Sequence, residues 1–166
     1  KVDQGANTYL TDDVDILSYV VGLGGMVNIG AFRIGGQAAY GQNWANADWA
    51  NGRATTLGGN NYAGATLDGT DDTNDATSWS AMLVAGLKFS DSVNFEVGAG
   101  YRNDDVDVSG VDDAQGWEAY GQVVLTLAPG VFLIPEAGYI AYNDDPITDD
   151  DRGYTWYAGA KWQINF

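Results

Sequence analysis

Apolar and polar residues alternate with a period of two through seven stretches of the chain, about 14–28, 31–44, 78–89, 93–103, 116–128, 131–142 and 154–166. Successive side chains of a strand point to opposite faces, so each stretch predicts a strand with one apolar and one polar face. The pattern is cleanest at the end, where Tyr154, Trp156, Ala158, Ala160, Trp162, Ile164 and Phe166 share one face. Thr155, Tyr157, Gly159, Lys161, Gln163 and Asn165 share the other. In the same way Trp117, Ala119, Gly121, Val123, Leu125 and Leu127 oppose Glu118, Tyr120, Gln122, Val124 and Thr126. Phe95, Val97, Ala99 and Tyr101 oppose Glu96, Gly98, Gly100 and Arg102, and Phe32, Ile34 and Tyr40 oppose Arg33, Gly35 and Gln37. Trp79, Leu83, Leu87 and Phe89 form the apolar face of 78–89, with Lys88 opposite. Stretches 14–28 and 131–142 are less regular, and the second places Pro135 on the apolar face and Glu136 on the polar one. Apolar residues nowhere keep three-and-four spacing for more than a turn, so the chain reads as all-β.

The connections alternate in length. Tight turns are predicted at Asn28-Ile29-Gly30, Ser90-Asp91-Ser92 and Pro129-Gly130, and longer Asp-rich loops at 45–77, 104–115 and 143–153. Antiparallel strands joined in this order put all short turns at one end and all long loops at the other. Outer-membrane barrels have that arrangement, and the stretches are long enough to cross a bilayer as tilted strands, which takes about 9–11 residues.

A soluble β-sandwich would also alternate. Two features argue against it. Aromatic residues (Trp44, Trp79, Phe89, Tyr101, Trp117, Tyr154, Trp156, Trp162, Phe166) gather at strand ends with small aliphatics between them, as in two interfacial girdles around an apolar band. The polar faces are also rich in Gly, Ala and uncharged residues, unlike a solvated sheet surface.

Composition narrows the chemistry. The 166 residues contain no Cys and no His, which removes disulfides, thiolate chemistry, zinc sites built on those residues and His-based triads from this chain. No enzymatic activity is expected on that ground. The formal charge of −16 argues against nucleic-acid partners and polybasic lipid attachment. The three Glu residues (Glu96, Glu118, Glu136) lie within alternating stretches, whereas Asp falls almost wholly in the loops.

The final strand, Tyr154 to Phe166, resembles the last strand of bacterial outer-membrane barrels, especially porins, whose chains end in an alternating strand closing on Phe. The resemblance is specific only there and is generic over 14–166. It implies a bacterial outer-membrane location, with lipid and lipopolysaccharide as surroundings. It further implies a homotrimer, and an assembly signal at Trp162, Ile164 and Phe166 read by the barrel assembly machinery. A strand ending at a periplasmic C-terminus runs downward, so seven strands leave residue 1 outside. Complete barrels of this kind have an even strand number, and Lys1–Leu10 alternates badly, so strands preceding Lys1 are expected.

The expectation is therefore one domain over 1–166, part of an antiparallel up-and-down transmembrane β-barrel of about 16 strands. Its function would be that of a porin passing small hydrophilic solutes and ions. Arg33, Lys88, Glu96, Arg102, Glu118, Glu136 and Lys161 are the candidate pore-lining residues, because they are the ionisable groups on the polar faces. The alternative is a small closed eight-stranded barrel with a structural or adhesive role, in which these charges pair across a filled interior. The loop Asp residues suggest Ca²⁺ or Mg²⁺, but Asp149, Asp150 and Asp151 lack EF-hand spacing. Diffuse divalent cations bound to lipopolysaccharide fit better, and no cofactor is expected. Loop 45–77 is long enough to fold over a pore or onto a neighbouring subunit, and a mobile external loop is the default.

Overall fold

The computed structural model describes residues 15–47, 62–68 and 72–165. Seven strands form one antiparallel sheet in which nearly every strand pairs with its neighbours in sequence. They are β1 (Tyr19–Ile29), β2 (Phe32–Gln42), β5 (Ala76–Lys88), β6 (Val93–Val106), β7 (Ala114–Ala128), β8 (Val131–Tyr142) and β9 (Tyr154–Ile164). The remaining two, β3 (Thr66–Asp68) and β4 (Asp72–Asn74), make a small separate hairpin within the connection from β2 to β5. A single 3-10 turn, Trp44–Ala47, follows β2.

Seven strands were expected, and the main differences lie at their ends. β6 and β7 run to Val106 and from Ala114, so Asp104 and Asp105, expected in a loop, belong to a strand. The backbone there continues the ladder, with Ser78 opposite Asp104 and Asp104 opposite Ala114. Phe166 lies outside the described residues, as do residues 1–14.

The short turns obey local chemistry. Gly30 opens the two-residue turn between Ile29 and Phe32 with φ 62°, a conformation that glycine adopts without strain. Gly130 follows Pro129 with φ 79°, as a type II turn requires. Pro135 lacks an N–H and stands where the β7–β8 ladder skips from Gln122–Glu136 to Leu125–Leu133, while its pairing with Ala160 on β9 remains.

The register carries one apolar face across all seven strands. One row runs Leu23, Ala38, Ala81, Tyr101, Trp117, Ala141, Tyr154, and another runs Val27, Ile34, Ala85, Val97, Gly121, Ala137, Ala158. This face is bare: Leu23 is 84% exposed, Leu83 69% and Trp156 72%. A β-sandwich would cover such a face with a second sheet, and among the described residues nothing does. An apolar surface of this extent belongs against lipid or a partner.

Aromatic residues border the face toward the long-loop end. Trp79 meets Tyr101 at 5.0 Å between centroids, and Tyr139 touches Trp117 at 4.9 Å, Trp156 at 4.6 Å and Tyr154 at 5.5 Å. Phe89 and Phe95 meet edge to face at 6.0 Å toward the short turns. Between the two borders the residues are Gly, Ala, Val, Leu and Ile. An 11-residue strand such as β9 extends about 35 Å, or about 27 Å in height at a tilt near 40°, close to the apolar band of outer-membrane barrels.

Trp44 is an exception. Expected in the girdle, it is folded onto the polar face instead, 7% exposed, with the Arg102 guanidinium 5.1 Å from its ring. Asn43 causes the reversal: its backbone is left-handed (φ 52°), and its side chain donates to Leu17 O and Asp75 Oδ1 while accepting from Ala76 N. The buried residues of the sheet cluster at this same long-loop end, where Tyr62, Ala76 and Ala114 pack with Val108 and Val111. The part of the 45–77 loop described thus folds against the polar face and is tied down.

The sheet is open along β1 and β9 among the described residues. Open edges leave N–H and C=O groups unpaired, which hydrocarbon does not tolerate. Further strands must complete it in a membrane.

Candidate functional site

All seven candidate lining residues lie on the polar face, at four different levels. Arg33, Glu96 and Glu136 share one row, in which register aligns Arg33, Gly86, Glu96, Gln122, Glu136 and Gly159. Arg33 reaches across Gly86 to form an ion pair with Glu96, two strands away. Glycine leaves room for this crossing, since a Cβ on Gly86 would press on Arg33 Nε at 3.3 Å. Glu96 also accepts from Tyr120 Oη at 2.9 Å and Gln122 Nε2 at 2.6 Å, so its charge is fully compensated.

Toward the long loops, the next row holds Gly98, Tyr120, Gly138 and Tyr157. Here the sequence repeats a device. Glu96-Val97-Gly98 on β6 faces Tyr120 on β7, and Glu136-Ala137-Gly138 on β8 faces Tyr157 on β9. Each tyrosine reaches over its glycine and donates its hydroxyl to the glutamate two residues before that glycine, Tyr157 to Glu136 at 3.0 Å. The fit leaves no room: a Cβ on Gly98 would come within 2.3 Å of the Tyr120 ring, and one on Gly138 within 2.4 Å of the Tyr157 ring. Covering strand glycines with a neighbouring aromatic is a known way to pin sheet register.

Glu118 occupies the following level, beside Gly100, with Lys161 at the opposite end of the face beside Ile134. Neither has an ion-pair partner among the described residues. Lys88 is drawn away from the rest: it pairs at 2.8 Å with Asp91 in the turn, lowering the Asp91 carboxyl below its usual range through the hydrogen bond and the ammonium charge. It marks the short-turn end, with Lys161 on the same side of the row that holds Arg33, and Arg102 toward the long loops.

Arg102 belongs to a second group at the long-loop end. Its Nε donates to Asp104 Oδ1 at 2.9 Å beneath the Trp44 ring, and Asp104 and Ser78 are wholly buried. Sequence reading missed Asp104 because it opens an Asp-rich run. Its parity was the available signal, since 104 continues the series 96, 98, 100, 102.

The weak metal candidates Asp149, Asp150 and Asp151 are not brought together. Asp151 Oδ1 accepts from Gly153 N at 2.7 Å, and no group of three or more acidic residues among the described ones is arranged to hold a metal. Asp145 organises that loop, accepting from Ile147 N at 3.0 Å and Thr148 N at 3.2 Å. Of the proposed assembly signal, Trp162 and Ile164 lie on the apolar face opposite Leu133 and Val131.

No protein-family model matches the chain, and no curated protein matches it. Among solved structures, the chain is similar to the outer-membrane expressed OmpT of Vibrio cholerae, with a TM-score of 0.55 and 15% identity. The likeness covers 86% of this chain and 38% of that one. The two share a fold. The sheet described above is thus similar in its path to part of an outer-membrane protein, and the chain spans well under half the length of the protein it resembles.

That proportion also corrects the expectation that no enzyme is involved. The expectation rested on the missing Cys and His of this stretch, but a stretch matching 38% of an outer-membrane protein does not bound what the whole can catalyse. Carboxylates and tyrosines act as acids, bases and nucleophiles without His or Cys, and the polar face holds both.

Proposed function

We propose that the chain forms part of an outer-membrane porin, a water-filled barrel of about 16 strands that passes small hydrophilic solutes and ions. The observation that carries this reading is a pair of charges, Glu118 and Lys161, that have no ion-pair partner among the described residues, on a face whose reverse is continuously apolar. Charges keep their ionised forms without partners only where water reaches them. A narrow, filled barrel would pair them, as it would be dry. Seven strands matched over 38% of a chain is also the proportion of a barrel with about 16 to 18 strands, wide enough for an aqueous channel.

In this reading Arg33, Glu96, Arg102, Glu118, Glu136 and Lys161 line the pore, with Lys88 at its short-turn mouth. Trp44 and the loop attached to it narrow the opposite end. The apolar face meets lipid and neighbouring subunits of a homotrimer, and the long Asp-rich loops lie outside, among lipopolysaccharide and its divalent cations. The barrel assembly machinery reads the β9 end through Trp162, Ile164 and Phe166. The net charge of −16 favours cations at the mouth, within a screening length of about 8 Å at physiological salt. Planar-bilayer recording of the folded full-length protein tests the reading: stepwise conductance with cation preference that weakens at high salt is expected, and absence of conductance refutes it.

A further inference from the structure

We propose that the polar face carries a binding track for organic ammonium cations, made of the ring faces of Tyr120 and Tyr157 and the carboxylates of Glu118 and Glu136. The proposal rests on the water-filled reading above and names a solute class for it.

Each ring packs against a glycine through its hydroxyl end, Cε1, Cζ and Oη of Tyr120 over Gly98 and the same atoms of Tyr157 over Gly138, and both tyrosines belong to the polar face. Tyr157 is 37% exposed. Each hydroxyl donates to a carboxylate, at 2.9 Å from Tyr120 to Glu96 and 3.0 Å from Tyr157 to Glu136. Such donation leaves electron density on the phenol oxygen and enriches the ring face, which strengthens its attraction for a cation.

The charges around the rings are of the matching sign. Glu118 and Glu136 both act electrostatically on both tyrosines. Arg33, the cation that acts on Tyr120, is committed to Glu96, and Lys161 borders the hollow lined by Glu136 and Tyr157. The chain's own guanidinium groups cover Trp44, Tyr62 and Tyr142, and among the described residues none covers Tyr120 or Tyr157. The two tyrosines stand in one row on either side of Gly138, two strand spacings or about 10 Å apart, so a solute leaving one ring meets the next. A neutral polyol fits less well, because it would need donors as well as acceptors and the surroundings offer mostly acceptors.

The probe is choline, compared with its neutral carbon isostere 3,3-dimethylbutanol, titrated calorimetrically into the full-length protein folded in detergent. Choline should bind about tenfold more tightly than the isostere. Tyr157→Leu should remove most of that preference, and Tyr157→Phe should weaken it partially, since the ring stays while its carboxylate bond goes. Gly138→Ala should act like Tyr157→Leu by displacing the ring. Should these variants fail to fold, Glu118→Gln, at a residue with no ion-pair partner among the described residues, should lower choline affinity and leave the isostere unaffected. Equal binding of choline and isostere, or full choline preference in a folded Tyr157→Leu protein, overturns the inference. KCl conductance of the same preparation is scored separately: conductance without choline preference refutes the track and leaves the pore, and loss of conductance refutes the pore while the titration still decides the track.

Discussion

Replacing Gly98 with Ala adds one methyl group where the Tyr120 ring already lies. The new Cβ would come within 2.3 Å of Tyr120 Cε1 and 2.7 Å of Cζ, so the ring must move. Moving it breaks the hydroxyl bond to Glu96, and hydrogen bonds to a charged group contribute about 1.5–3 kcal/mol. Forcing a methyl group into occupied space costs about another 1–3 kcal/mol. Destabilisation of about 2–5 kcal/mol is therefore expected, in a strand where alanine would otherwise be neutral or better than glycine. Urea unfolding of the full-length protein in lipid vesicles, followed by tryptophan fluorescence, measures it. The decisive comparison is a double-mutant cycle with Tyr120→Ala. In that background Gly98→Ala should cost less than about 0.5 kcal/mol, because nothing remains to be displaced. An equal cost with and without the ring would mean that Gly98 serves the backbone alone, and the tyrosine-over-glycine reading would be wrong.

Two further predictions concern the long-loop end. Trp44→Ala should destabilise the protein by about 3 kcal/mol, since it empties buried space over Arg102, and in the proposed pore it should raise single-channel conductance, which a girdle residue would leave unchanged. The Asp145 carboxyl is held below the usual carboxylate range, first by the Ile147 backbone N–H. A depressed folded-state pKa stabilises the loop above the unfolded value and loses that contribution as pH falls through the folded one. Protection of the Ile147 and Thr148 amides, measured as exchange relative to the intrinsic rate at each pH, should fall below about pH 4 and stay constant between pH 5 and 8.

The sheet was legible because its signal is long and redundant. Each strand repeats the two-residue period five or more times, so Pro135 or the glycines of β1 do not obscure it. Register was legible for the same reason, since a one-residue slip would turn an entire apolar set to the wrong face. The site was less so. Parity placed Glu96, Glu118 and Glu136 on the polar face but could not distinguish a glutamate held by three donors from one with none. That difference depends on which residue lies opposite on the next strand, information set by turn lengths and strand offsets. The repeated Glu-x-Gly could have been noticed, although its meaning required the facing tyrosines.

Trp44 and Asp104 show a different limit. Period-two reasoning works while the backbone stays extended, and it assigned Trp44 to the lipid face by carrying the count past the end of β2. A left-handed residue at Asn43 breaks the count, because one positive φ redirects every side chain after it. Asp104 failed in the opposite sense: a run of aspartates reads as loop, yet β6 continues through it because Arg102 and the folded-over Trp44 supply an interior setting for a carboxylate. Both errors fall at the long-loop end, where the buried side chains of the sheet gather among the described residues. There a loop returns to pack against the polar face, and packing between segments distant in sequence takes over from local alternation as the force that decides where a side chain points.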